Sequence, residues 1–417
     1  MGTADNVKLP LGRLSKRQLL ELDACTRCGE CKNWCPVYAV DKRDELIPRN
    51  KIAAVKSLLK SQNGLRAKLF SKSRFTKEQV DNLIDALYEC TACGQCHFVC
   101  PARIDTPELW ESLREVLAEA GLGPTPDQVA YLKILKEYDN PLKEPRENRG
   151  SWVARGLSQG TLFQDVPLIT ESPQPVLFYL GCTASYNEKI NLVAQWVANL
   201  MAKAGIKFGI LGPKENCCRG KLRRMGDLDF EEMAEENIDI LNSLGIETLV
   251  TNCAGCFKTI YQDYAKVKKL NFKIYHAVEY LDMLIKEGRL KPVHPVPLQV
   301  TYHDPCHLGR HNQIYDAPRS VLSAIPGIEL TEMNRIRQNS RCCGFGGGLK
   351  MGFPQIQAKM AAERLKEAET TGATDVTTPC PSCFIGLSEG LTQYEPNIRI
   401  RHLMELLNLS VFGNNAG

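Results

Sequence analysis

All eighteen cysteines of this 417-residue chain fall into two kinds of metal-ligand pattern, each present twice. Eight form Cys25-x2-Cys28-x2-Cys31-x3-Cys35-Pro36 and Cys90-x2-Cys93-x2-Cys96-x3-Cys100-Pro101. Ten form Cys182, Cys217-Cys218, Cys253-x2-Cys256 and then Cys306, Cys342-Cys343, Cys380-x2-Cys383. Thiolates at such spacing are ligands for iron–sulfur clusters. Three cysteines two residues apart can point their sulfurs at three corners of one cuboidal cluster. Structural zinc could also use all eight thiols of the first pattern. Zinc gives no reason, however, for the third evenly spaced cysteine or for the Cys-Pro endings.

The first pattern is the bacterial ferredoxin run. In two-cluster ferredoxins the cysteine before proline reaches across to the other cluster. One [4Fe–4S] cluster is therefore expected on Cys25, Cys28, Cys31 and Cys100, and the other on Cys90, Cys93, Cys96 and Cys35. In the second pattern, five thiolates per copy exceed what one cubane needs. Adjacent cysteines also span opposite corners of a cubane poorly, so a more open assembly with bridging thiolates is expected. Spacing alone leaves zinc open at these ten residues.

Other readings of a cysteine-rich chain fare less well. The cysteine density is far below that of a small disulfide scaffold. The first twenty residues are polar and basic and do not read as a signal peptide. Free thiolates and clusters suit a reducing cytosol. No run of about 18 apolar residues reads as a membrane span, so an anchoring partner would be needed at a membrane. The net charge of +4 is too balanced to argue for nucleic acid.

The elements that must position these ligands divide into four stretches. Residues 1–140 read as helical, with both ferredoxin runs separated by a helical insertion over residues 37–89. The apolar spacing of residues 51–60 and 78–87 carries that reading, and another helix is expected over 106–120. Residues 141–175 are rich in proline, glycine and charge and read as a surface linker. From residue 176 the pattern alternates strand and helix twice, giving α/β units at 176–294 and 295–417. Strands are expected at 176–180, 207–211 and 247–251 in the first copy, and at 298–302, 328–332 and 375–378 in the second. Cysteine separations of 35 and 35 residues in one copy and 36 and 37 in the other argue for duplication. Every cysteine of the repeats would then lie beyond the carboxyl end of a strand, where open parallel sheets bind ligands. Helix first turns after Cys256 and Cys383 would favour charge on sulfur. The run Gly344-Phe345-Gly346-Gly347-Gly348 lacks dinucleotide spacing and is not read as a phosphate loop.

Several segments closely resemble the D subunits of membrane-bound heterodisulfide reductase, in the same order along nearly the whole chain. They are residues 22–31 (Leu-Asp-Ala-Cys-Thr-Arg-Cys-Gly-Glu-Cys), 108–114, 181–184, 302–311 (Tyr-His-Asp-Pro-Cys-His-Leu-Gly-Arg-His) and 341–348. The resemblance implies an α+β multidomain chain. An α-helical ferredoxin domain with two cubane [4Fe–4S] clusters would precede two tandem Rossmann-like cysteine-rich (CCG) domains, each with a noncubane [4Fe–4S] cluster. It implies cleavage of a disulfide between those two clusters. If the strand carboxyl ends of the two repeats face one another, Cys217, Cys218, Cys342 and Cys343 are expected on opposite walls of one cleft as the reacting site. The resemblance also implies a membrane cytochrome b-type partner, further redox subunits, and a cytoplasmic position on the inner face of the membrane. Related subunits in sulfate-reducer membrane complexes give the alternative of an electron relay without its own disulfide substrate.

One departure stands out. The first repeat reads Cys217-Cys218-Arg219-Gly220 where the second has Cys-Cys-Gly, and Lys221, Arg223 and Arg224 follow. Arg219 is expected to border the site, either binding an anionic group or offsetting cluster charge, with the cations otherwise on a solvated face. Three of seven histidines surround Cys306. Asp304 and Pro305 read as a helix start, which would put His307 and His311 on one face. His307 is the candidate proton donor to a departing thiolate.

Overall fold

The computed structural model describes residues 9–63 and 77–413. Part of the expected helical insertion, residues 64–76, lies outside the described residues. Two compact units form. One comprises Met1–Leu132, Lys221–Phe230 and Gly344–Met360; the other comprises Lys133–Gly220, Glu231–Cys343 and Ala361–Gly417. These bounds differ from the linear division expected from sequence. The segment after each Cys-Cys pair leaves its own sheet and belongs to the first unit.

The first unit is helical. The helix Lys16–Ala24 starts at Ser15, whose hydroxyl accepts the Gln18 N–H while the Gln18 side chain returns the bond, a reciprocal capping box. The helices Pro48–Asn63, Lys77–Tyr88 and Thr106–Glu119 follow. Their apolar faces meet in one core that includes Leu22, Ile52, Val55, Leu87, Trp110 and Val116. Each such side chain contributes roughly 1.5–3 kcal/mol by leaving water. At the centre lies a cation, Arg114, which is fully buried. Its guanidinium donates to the carbonyls of Leu87, Cys90, Arg224 and Gly347. Arg223 and Arg224 are also buried, paired with Glu108, Glu111 and Glu115. The solvated basic face expected there is instead an interior ion network. Its residues come from 106–119 and 221–230, two segments remote in sequence, so no local pattern announces the pairing.

The second unit holds two parallel sheets. In the first, β1 (Val176–Tyr179), β2 (Phe208–Gly209), β3 (Thr248–Thr251) and β4 (Lys273–His276) run in the order β2-β1-β3-β4. In the second, β5 (Leu298–Tyr302), β6 (Ile328–Leu330), β7 (Asp375–Thr378) and β8 (Arg399–His402) run in the order β6-β5-β7-β8. The chain reverses its winding between the two central strands of each sheet, which opens a crevice at their carboxyl ends. All six expected strands are present, with β2 and β6 shorter than expected. Sequence reading missed β4 and β8, which are edge strands with charged residues, a common guard against edge pairing. Residues 141–175 are not a draped linker. They carry the helix Ser151–Gln159 with Trp152 fully buried, and Leu168 bridges Ile210 beside β2.

Candidate metal centres

In the first unit both cysteine runs start Cys-Thr-x-Cys-Gly and bend alike. Arg27 and Ala92 have φ of +60° and +50°, and Gly29 and Gly94 follow at +92° and +77°. Left-handed residues on either side of Cys28 and Cys93 turn backbone N–H groups inward, a concavity suited to anions. Cys25, Cys28, Cys31 and Cys100 line one cavity. Cys35, Cys90 and Cys93 line a second, and Cys96 borders both. Each run's last cysteine thus lines a cavity with the other run's first three. Burial pushes the Cys35 thiol up to about 11 and Cys31 to about 11. Such thiols ionise readily only against a metal's charge. The Cys96 sulfur lies 2.9 Å from the Thr106 hydroxyl.

In the first repeat, thiols that shift one another's ionisation run from Cys182 to Cys217, Cys218, Cys256 and Cys253. Buried polar groups hold the loops that carry them. Glu215 accepts the Leu180 and Gly181 N–H groups at 3.0 and 2.9 Å, fixing the turn into Cys182. Gly181 has φ +75°, and a Cβ there would stand 2.9 Å from the Cys256 sulfur, so only glycine fits. Asp139 accepts the Cys217 N–H at 2.9 Å. The Tyr179 hydroxyl donates to the Asn216 carbonyl at 2.6 Å, and Tyr264 donates to that of Cys218 at 3.1 Å.

Arg219 does not reach outward. It is 6% exposed, at φ +60°, with Nη2 2.6 Å from Asp139. Arg149 pairs with both Asp139 and Glu215, so two cations and two carboxylates alternate behind Cys217. At the matching place Gly344 has φ +84°, and a Cβ there would stand 3.0 Å from the Gln357 carbonyl oxygen. Both positions take left-handed backbone; position 344 also excludes a side chain. The Cys-Cys-Arg departure therefore keeps the backbone path and adds a buried ion pair.

In the second repeat Cys343 and Cys383 stand 3.4 Å apart, and Cys383 also contacts Cys380. Cys306 and Cys342 are buried beyond β5 and β6. The expected helix at Pro305 is absent. Residues 306–308 form a turn, and one helical turn, Gly309–Asn312, comes after it. Asp304 is instead clamped by Arg319 at 2.9 and 3.0 Å and accepts the Arg337 N–H at 2.8 Å, which removes it from a capping role. His307 and His311 still pack edge to face, with centroids 4.9 Å apart. His307 Nδ1 lies beside Gly255 of the first repeat, 3.8 Å from where a Cβ would stand.

The two repeats meet at their Cys-x2-Cys loops. The Cys253 and Cys380 thiols stand close enough to shift each other's ionisation, and the Ser382 hydroxyl lies 4.0 Å from the Cys253 sulfur. Sulfur contacts are thus continuous from Cys182 to Cys343 through both repeats. The meeting point is formed by Cys253 and Cys380. Two histidines missed in the sequence sit nearby. His276 and His402 end β4 and β8, and each accepts the second N–H of the following helix on Nδ1, from Val278 at 3.2 Å and Met404 at 3.3 Å. Burial lowers them to about 4 and about 3, so they are neutral caps.

None of the eighteen cysteines is in a disulfide. Sulfur-only donor sets gathered at strand or helix ends fit iron–sulfur clusters. Buried nitrogens without protein partners near them, Arg219 Nε and Nη1 and His303 Nε2, fit a further charged acceptor. Among the described residues no helix is long and apolar enough to cross a membrane.

Comparison with known proteins agrees with this inventory. A 4Fe-4S dicluster domain model matches residues 21–104, and a cysteine-rich domain model (CCG) matches 176–261 and 300–388. The chain is 37% identical to the D subunit of dihydromethanophenazine:CoB–CoM heterodisulfide reductase from Methanosarcina mazei, over 94% of this chain and 95% of that protein. It is 29% identical to a probable iron-sulfur-binding oxidoreductase, FadF, of Bacillus subtilis, covering 95% of this chain and 61% of the relative. It is 28% identical to an EtfAB:quinone oxidoreductase of Syntrophomonas wolfei, covering 94% and 58%. A hypothetical protein from Helicobacter pylori shares the fold at a TM-score of 0.52 and 10% identity, over 96% of this chain and 74% of that one.

Proposed function

We propose that this chain, which belongs to the family of heterodisulfide reductase D subunits and so to the iron–sulfur oxidoreductases, carries electrons through two cubane clusters to a disulfide cleaved between its two repeats. Its cofactors are iron–sulfur clusters of the [4Fe–4S] type. In our reading two are cubanes, one on Cys25, Cys28, Cys31 and Cys100, the other on Cys90, Cys93, Cys96 and Cys35. The other two are noncubane, on the five cysteines of each Rossmann-like repeat.

The observation that carries this reading is the contact between Cys253 and Cys380, which makes two metal centres neighbours at one seam. Bound clusters would supply single electrons from either side of that seam. Cleavage needs two electrons and two protons per disulfide, giving two thiols, and proximity of two one-electron donors avoids a free radical between steps. The chain's own residues hold the geometry. Glu215 and Asp139 fix the loops of the first site, Arg319 clamps Asp304 in the second, and His307 lies beside the Cys253 loop as the candidate proton donor. Arg219 belongs to the support of Cys217.

Electrons would enter from a cytochrome b-type membrane subunit that holds the chain at the inner face of the cytoplasmic membrane, with further redox subunits. Kinship with FadF and the quinone oxidoreductase supports the second reading, an electron relay in a respiratory complex without its own disulfide. The purified complex, reduced and then given the coenzyme M–coenzyme B disulfide, separates the two. Stoichiometric thiol release that is lost in Cys343→Ser supports the reductase. Cluster reoxidation by quinone with no thiol release in either protein supports the relay.

A further inference from the structure

The register of the two sheets places unlike side chains at one critical point. Val176 pairs with Thr248 and Tyr179 with Thr251, two residues before Cys253. In the second sheet Val300 pairs with Asp375 and Tyr302 with Thr377, so His303, three residues before Cys306, occupies the place that Tyr179 holds three residues before Cys182. Tyr179 lies near Cys218 and Cys256. A ring nitrogen of His303 lies within 4.8 Å of both Cys343 and Cys383 sulfurs. The counterpart cysteines are approached in the same way. The difference is in hydrogen bonding, because Tyr179 spends its hydroxyl on the Asn216 carbonyl at 2.6 Å.

His303 has its proton fixed by a cation. Arg364 Nε donates to His303 Nδ1 at 3.2 Å. The rest of that guanidinium is held by the Arg335 carbonyl at 2.9 Å, Glu367 at 2.9 Å and the Ser340 hydroxyl at 3.1 Å. An arginine only donates, so Nδ1 presents its lone pair and Nε2 carries the hydrogen. That Nε2 is buried without a protein partner. A histidine with this tautomer cannot be a third metal ligand beside Cys343 and Cys383, because its remaining nitrogen is an N–H. Burial beside Arg364 lowers its pKa to about 3, consistent with a ring that stays neutral and is no proton source.

We infer that His303 is a positioning residue of the second cysteine-rich site, donating Nε2–H to sulfur there, and that this makes the two sites unequal in how readily they accept an electron. The inference rests on the reading that this site holds an iron–sulfur cluster. A donor to cluster or thiolate sulfur favours the more negative, reduced state and raises the potential. The tyrosine at the same register gives the first site no such donor.

The test uses the full chain labelled with 15N-histidine, with the second-site signal assigned by its loss in Cys343→Ser. Pulsed electron paramagnetic resonance should show a weak 15N coupling of the through-sulfur kind, absent in His303→Leu. Redox titration of His303→Leu should disfavour reduction of that centre about tenfold, about 59 mV for one electron. His303→Gln, which can accept from Arg364 and donate to sulfur together, should restore most of it. A strong coupling of direct ligation, or an unchanged midpoint in His303→Leu with the signal intact, overturns the inference alone. No Cys343-dependent iron signal in the native chain overturns the cluster reading as well.

Discussion

Cys253 and Cys380, the first cysteines of equivalent loops in two duplicated sheets, are neighbours close enough to shift each other's ionisation. Each loop follows the third strand of its sheet, β3 or β7, and leads into a helix, Ala254–Lys258 or Pro381–Gly390. Duplication thus joins two half-sites at one matched pair of residues.

In cluster-free protein this pair should be the favoured crosslink between the repeats. Treatment with a small disulfide oxidant should form a Cys253–Cys380 bond, detected by peptide mass spectrometry. Bridges confined within each repeat would refute the arrangement.

Cys100→Ser should perturb the cluster whose other ligands are Cys25, Cys28 and Cys31, and Cys35→Ser the one on the second run. Each should change one cubane signal and leave the other, as read by Mössbauer and paramagnetic spectra. Loss of the Cys90 cluster on changing Cys100 would mean uncrossed ligation.

Arg219→Gly should destabilise the chain despite relieving a left-handed arginine, a strain of only about 1–2 kcal/mol. The change removes the closest of the cations on Asp139, and breaking a buried pair costs about 3–5 kcal/mol. Arg149 remains on Asp139, so the loss should fall near the low end, about 3 kcal/mol. Asp139→Asn added to Arg219→Gly should recover part of it in urea denaturation. Equal stability of Arg219→Gly and the native chain would contradict the ion-pair account.

Stability should fall with acid through His402. Its folded pKa, about 3 because of burial and the facing His276, lies below the unfolded value of about 6.5. The unfolded chain therefore binds more protons between those values, and the neutral cap's contribution is complete above pH 6.5. Below that it declines by about 1.4 kcal/mol per pH unit until the folded pKa is reached. His402→Gln should flatten the slope of the cluster-free chain between pH 6.5 and 4.5, measured by denaturation midpoints. An unchanged slope would remove His402 from the account.

The grouping of the cysteines was legible because such spacing is local: a Cys-x2-Cys turn needs only its own residues to bring two sulfurs together. The central strands were legible for the same reason, as short apolar runs ending at cysteines. Residues acting through distant partners were not. Nothing near Asp139 in sequence points to Cys217 or Arg219, and Arg149 and Glu215 meet from 66 positions apart. His303 and His307 look alike in a histidine count, and only the Arg364 contact distinguishes them. The meaning of Arg219 was half visible, since a glycine stands at the matching place in the other copy.

Arg114 closes the first unit with carbonyls from Leu87, Cys90, Arg224 and Gly347. A ribosome delivers these groups in order, so the part of the chain made earliest must wait for residue 347 before its central cation is fully bound. The ferredoxin-like unit is begun first and finished late. Residues 1–140 made alone would leave that guanidinium without two of its four carbonyl partners, and synthesis itself thereby couples completion of the first unit to segments that lie within both cysteine-rich repeats.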